Sequence, residues 1–144
     1  MAEPYQTLGG PSGPRASIGL RFVASLIDGF ILFVATLILR AALGFAPGAA
    51  LGVLAGIAYF AYFEGQPAGQ TIGKKAMSIR VIDFATGGSL DTSKALVRAL
   101  VREVSGFACG LGFLWALFND ERQTWHDLAA NTVVVPVAAY PPPA

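Results

Sequence analysis

The chain has 144 residues, room for one domain, with 54% hydrophobic residues against 13% charged. Soluble domains carry about 25% charged residues, so this composition, with a mean hydropathy of +0.58, excludes an ordinary water-soluble core and points to a membrane protein. A net charge of +1 gives no footprint for nucleic acid, and a single cysteine, Cys109, excludes an intrachain disulfide and a cysteine-based zinc site.

Residues 1–14, MAEPYQTLGGPSGP, are rich in proline and glycine and nearly free of charge, so a disordered arm is expected. The basic start and the cleavage site of a signal peptide are both missing. From Phe22 to Leu39, 14 of 18 residues are apolar. A helix of that length is about 27 Å long, close to the hydrocarbon thickness of a bilayer. Arg21, Ser25, Asp28, Gly29 and Thr36 fall on one stripe of this helix, which must face protein or water while the remainder faces lipid. Asp28 lies inside the span and needs a partner. Arg21 is two turns away, beyond the reach of a helical ion pair. Arg21 is therefore expected to reach headgroups or an acid on another segment, and Asp28 to find its partner elsewhere in the bundle. Arg15 and Arg21 beside the first span place the N-terminus in the cytoplasm.

Gly44–Gly48, GFAPG, reads as a turn with Pro47 as the breaker. The second span follows over about 49–63 and ends in an aromatic cluster that includes Tyr59. Gly48, Gly52 and Gly56 form a small-residue stripe for close helix packing. Packing on the chain's own first helix, through Gly29, is the expected use, with dimerisation as the alternative. Glu64 to Ser93 leaves the membrane, and Lys74, Lys75 and Arg80 assign it to the cytoplasm. Gly69–Lys74, GQTIGK, is one residue short of a phosphate loop, and Lys75 stands where Ser or Thr should be. Ser78–Phe84 alternates like a strand, and a turn at Thr86–Gly88 suggests that Ser89–Leu90 pairs back as a hairpin.

Lys94–Arg102, KALVRALVR, is amphipathic. Its arginines suit anionic headgroups or a contact with Asp28, with Arg98 and Arg102 as the candidates. Val104–Phe118 is a third apolar run, short for a span and rich in glycine, so it either crosses or forms a re-entrant hairpin. Thr124 and Asp127 have capping-box spacing ahead of a short helix over Trp125–Ala130. His126 is the only histidine and cannot hold a metal alone. Tyr140–Ala144 is a polyproline-like tail.

With these motifs in view, RFVASLIDGFIL, GQTIGKKAMSIRVID, ALVRALVRE and WHDLAANTVVV, the chain resembles the RDD family of small prokaryotic integral membrane proteins over roughly 15–136. That family is named for an arginine and two aspartates, which by motif position are Arg21, Asp28 and Asp127. Its closing motif usually reads HDLLAGT, so Ala129 and Asn131 depart from it, and the segment before it is usually more basic than DERQ. The resemblance implies little about function beyond the usual suggestion of transport.

The expected fold is an all-α integral membrane protein. It comprises two long transmembrane helices plus a third span or re-entrant hairpin, with a short cytoplasmic β-hairpin. The layout is an arm over 1–14, a membrane domain over 15–137 with spans at about 20–43, 49–63 and 97–118, and a tail over 138–144. The expected location is the prokaryotic plasma membrane. Two functions compete. One is ion or small-solute transport through an Arg/Asp polar site. The other is a non-catalytic accessory or scaffold role in a larger membrane complex or homo-oligomer, with the charges as ties between helices. Neither an enzyme nor a cofactor is expected, because no nucleophile–base pair or metal-ligand cluster is visible.

Overall fold

In the computed structural model, which describes residue 11 and residues 13–143, helix α1 spans Ile18–Leu43 and helix α2 spans Phe45–Glu64. Ser17 caps α1 by accepting from the Leu20 N–H at 3.2 Å. The joint between the two helices is one residue, Gly44, at φ +95°, whose N–H reaches the Arg40 carbonyl at 2.9 Å. The turn expected over 44–48 is therefore mostly helix. Pro47 sits in the first turn of α2, where a backbone N–H has no helical partner to lose. Both helices are long and apolar enough to cross a membrane. Of α1, only Ala24 and Asp28 are buried, and large apolar side chains such as Phe22, Phe30, Phe33 and Ile38 are exposed. Such a surface suits lipid as its solvent.

The two helices pack closely. Gly48, Gly52 and Gly56 are buried. A Cβ at Gly52 would stand 2.5 Å from Thr36 Oγ1, one at Gly48 would strike the α1 backbone at Leu39 and Arg40, and one at Gly56 would stand 3.1 Å from Glu103 Oε1. Gly29 is not their counterpart: it is exposed, and a Cβ there meets nothing within 4 Å.

Helix α3 (Ile72–Ala76) leads into strand β1 (Ile79–Asp83). The strand's partner corrects the hairpin expectation. It is β2 (Thr132–Pro136), antiparallel, with Val81 opposite Val134. Residues 84–88 do turn, as Asp83 accepts from the N–H groups of Ala85 and Thr86 and its own N–H reaches Gly88 O at 2.8 Å. They do not go on to pair as a second strand, because the other edge of β1 is occupied by Gly69, whose carbonyl accepts from Val81 N at 2.9 Å. The far edge of β2 takes Ala16, whose N–H donates to Val134 O at 2.9 Å. Each edge is thus partly covered by the chain itself. Ile79, Val81, Val134, Leu90, Ala95, Ala16 and Ala24 form a buried apolar cluster around this sheet.

Helix α4 (Thr92–Phe107) starts beside the sheet, capped by Asp91. It is followed by α5 (Leu111–Leu114) and a 3-10 turn over Trp115–Phe118, and the chain bends by 109° between α4 and this Leu111–Phe118 segment. After the bend the chain returns to the end of the bundle it left. Phe113 lies against His126, and Gly112 packs on Ser105 and Trp125. The third apolar run is thus a bent pair and not one continuous helix. Helix α6 (Trp125–Ala130) then leads into β2. It ends at Asn131, at φ +54°, the left-handed position that suits Gly or Asn. Most of the arm over 1–14 lies outside the described residues. Of its described part, Gly13 donates its N–H to the Tyr140 hydroxyl and Pro11 accepts from Arg15.

Gly52→Leu is expected to lower stability by about 1–3 kcal/mol through overpacking, while Gly29→Ala is neutral or stabilising, as a mid-helix glycine costs about 0.5–1 kcal/mol relative to alanine. Thermal unfolding in detergent checks both. Equal effects from the two would contradict the packing described.

Candidate functional site

Every polar group expected to matter converges on the sheet end of the bundle. Asp127 starts it. Thr124 accepts from the Asp127 N–H, and Asp127 Oδ2 accepts from Thr124 N at 3.0 Å, a complete capping box that fixes the carboxylate at the mouth of α6. The same Oδ2 meets Arg21 Nη2 of α1 at 2.7 Å. The other oxygen, Oδ1, takes Arg98 Nη1 of α4. Capping and ion pairing are therefore carried by one side chain.

Arg98 is 1% exposed. Besides Asp127 it donates through Nε to Glu64 Oε2 of α2 at 2.5 Å and through Nη1 to Thr132 Oγ1. Glu64 Oε1 holds Lys74 Nζ of α3 at 3.1 Å and faces Arg102 Nη2 at 3.7 Å. One run of alternating charges, Arg21–Asp127–Arg98–Glu64–Lys74, thus touches α1, α6, α4, α2 and α3. A buried charge without a partner costs several kcal/mol, so these elements hold one another in place.

Asp28 is a separate centre. It is 1% exposed and has no ion pair among the described residues. It accepts from the Tyr59 hydroxyl at 2.7 Å, the Thr71 hydroxyl at 2.6 Å and the Gly73 N–H at 2.8 Å. The expected contact with Arg98 or Arg102 is absent, because Arg98 is committed to Glu64 and Asp127. The GQTIGK segment exists here to reach Asp28. Gly69 supplies a left-handed turn at φ +63°, Thr71 caps α3 and donates to the carboxylate, and Gly73 lets α3 lie on α1. A Cβ at Gly73 would collide with the Ala24 carbonyl and stand 2.9 Å from Asp28 Oδ1.

Electrostatics outside the helical spans follow from this packing. Burial favours the neutral form of Asp127, but the guanidiniums of Arg21 and Arg98 outweigh it and hold the carboxyl well below the usual carboxylate range. Burial, with Arg102 adding to it, holds the His126 imidazole well below its ordinary value. Burial brings the Lys74 ammonium down to about 8, although Glu64 pulls the other way. His126 is fully buried. Its Nε2 lies 2.9 Å from Thr124 Oγ1, and its Nδ1 has no partner among the described residues.

Glu64, Lys74, Tyr59 and Thr71 carry this site, and none of them stands out in the sequence. Glu64 offered one signal: it is the only acid in α2 and closes an apolar run. Among the described residues no group of three His, Cys, Asp or Glu side chains is placed to hold a metal. A cavity of about 390 Å³ opens beside the network, floored by Arg21, Lys74 and Arg102, and Asp28 does not line it.

The sequence model of the RDD family matches residues 15–131. An uncharacterized protein of Haemophilus influenzae is 31% identical over 84% of this chain and 78% of its own length. A proline-rich antigen of Mycobacterium leprae is 38% identical over 48% of this chain, and a homolog of that antigen in Mycobacterium tuberculosis is 33% identical over 57%. These matches span only 28% and 35% of the two mycobacterial proteins. No solved structure matches the chain.

The neutral His126 gives a test. Its folded pKa lies below its unfolded value, so the unfolded chain takes up the proton first as pH falls. The stability it contributes is present above pH about 6.5 and is lost below that, at up to about 1.4 kcal/mol per pH unit. Asp127 acts in the same sense only below pH about 4, so a loss of stability on acidification between these values is carried by the histidine. The unfolding temperature in detergent is expected to fall between pH 7 and 5 for the native chain and not to fall for His126→Gln. Equal slopes would contradict the buried neutral imidazole.

Proposed function

The chain belongs to the RDD family, and from that premise we propose that it is a non-catalytic scaffold module of the bacterial plasma membrane, whose Arg, Asp and Glu side chains are ties between helices. The observation that carries this reading is the state of Asp28. A carboxylate that handles an ion must take up and release it from water. Asp28 instead holds three protein donors at 2.6–2.8 Å and lies outside the cavity. Asp127 is likewise saturated, by Arg21, Arg98 and its own helix cap.

Two further observations agree with a module. The matched part makes up about a third of the mycobacterial proline-rich antigens, so the unit occurs inside longer chains. Every lysine and arginine except Arg40 stands at the sheet end or along α4, and by the positive-inside rule this supports a cytoplasmic N-terminus and sheet. The bent pair then enters from the cytoplasmic side and returns to it, with a larger membrane complex or a second copy covering part of the exposed apolar surface.

Proteoliposomes loaded with alkali cations and protons test the transport alternative. The native protein is expected to give a flux equal to that of empty liposomes, while Asp28→Asn loses about 1–3 kcal/mol of stability through the donors left facing an amide. A flux above the empty control that Asp28→Asn abolishes would overturn the scaffold reading.

A further inference from the structure

The cavity beside the network has an unequal charge lining. Its polar walls carry Arg21, Lys74 and Arg102, and among the described residues no acidic side chain lines it. Of these three cations Lys74 is buried, and the side chains of Arg21 and Arg102 are 12% and 11% exposed. They differ in whether an acid stands at hydrogen-bond distance. Arg21, Lys74 and Arg98 all hold carboxylates at hydrogen-bond distance. Arg102 does not. Its nearest carboxylate oxygen, on Glu64, is 3.7 Å away, and among the described residues it donates no hydrogen bond. Its side chain is only 11% exposed and its Cζ stands 3.9 Å from the Phe60 ring centroid. A contact through the ring leaves the N–H donors of a guanidinium without an acceptor.

The mouth of the cavity is apolar. Phe22 of α1 and Leu114 and Leu117 of the bent pair line it and are themselves exposed, so the opening is continuous with the exposed apolar surface of the helices. It lies at the first two turns of α1, the end of that apolar helix at which Arg21 stands. A cationic floor under an apolar mouth calls for an amphiphile with one negative charge. We propose that the cavity binds an anionic phospholipid, with the phosphodiester on Arg102 and an acyl chain leaving past Phe22 and Leu117. The size fits, as ligand cavities commonly run about 300–1,000 Å³. The site extends the scaffold reading and does not depend on it, because the ties among helices stand with or without a lipid.

Native mass spectrometry of the full chain in neutral detergent tests this, with dioleoylphosphatidylglycerol, dioleoylphosphatidylcholine and inorganic phosphate as probes. The native chain is expected to retain one phosphatidylglycerol against challenge by phosphatidylcholine, and inorganic phosphate is expected not to displace it. Arg102→Gln should weaken retention by about tenfold, as a charge-assisted contact is lost. Ser25→Phe, which fills the cavity from α1 and leaves every charge in place, should do the same and decides the matter should Arg102→Gln not fold. Equal retention of both lipids, or unchanged phosphatidylglycerol binding in both variants, would overturn the proposal. Displacement of the lipid by inorganic phosphate would overturn the lipid as the source of the anion.

Discussion

The guanidinium of Arg98 lies between Glu64 and Asp127, and the rest of the architecture depends on that bridge. Moving one arginine and two carboxylates out of water costs several kcal/mol per ion. The cost is offset by the contacts made: Nε serves one acid while Nη1 serves the other and Thr132, and Nη2 alone has no partner among the described residues. The two acids then recruit Lys74 and Arg21. Lipid tails are as apolar as leucine, so helices that face lipid gain little from burying apolar surface against one another. Small residues and polar ties must set their register instead. Gly48 and Gly52 bring α2 against α1, and the charge run fixes where α4 and α6 sit on that pair.

The rest follows from the same economy of contacts. α3 has five residues and little propensity of its own, yet its position is set by Thr71 and Gly73 on Asp28 and by Lys74 on Glu64. The sheet joins residues 79–83 to 132–136 and receives Ala16 at its edge. It closes the chain so that the start of α1, the end of α2, the start of α4 and the whole of α6 meet at one end. Arg102 lies one turn further along α4, where Glu64 is 3.7 Å away and not at hydrogen-bond distance, and it lines the cavity.

Much of this was legible in the sequence where the signal was local. The apolar windows gave α1 and α2, the spacing of Thr124 and Asp127 gave the capping box, and the polar stripe of α1 marked its inward face at Asp28. Signals that depend on distant partners were not legible. A Thr-Gly-Gly turn after Asp83 looks like a hairpin, and nothing nearby announces that the strand's true partner begins at Thr132. Glu64 reads as the point where the chain leaves the membrane, because its partners Arg98 and Lys74 come from other elements. The sequence offers Arg98 and Arg102 as partners for Asp28, but three uncharged donors satisfy it instead. Two come from the short segment whose glycines resemble a phosphate loop. The departure at Asn131 is physically small, since Asn shares with Gly a tolerance for the left-handed conformation found there.

A double-mutant cycle between Glu64 and Arg98 measures the central tie most directly. Glu64→Met, Arg98→Met and the double variant would be unfolded in the same detergent beside the native chain. Each single change should strand a buried charge, and the double change should remove both, so a coupling energy of about 1–3 kcal/mol is expected. Single effects that simply add, with coupling near zero, would contradict the account.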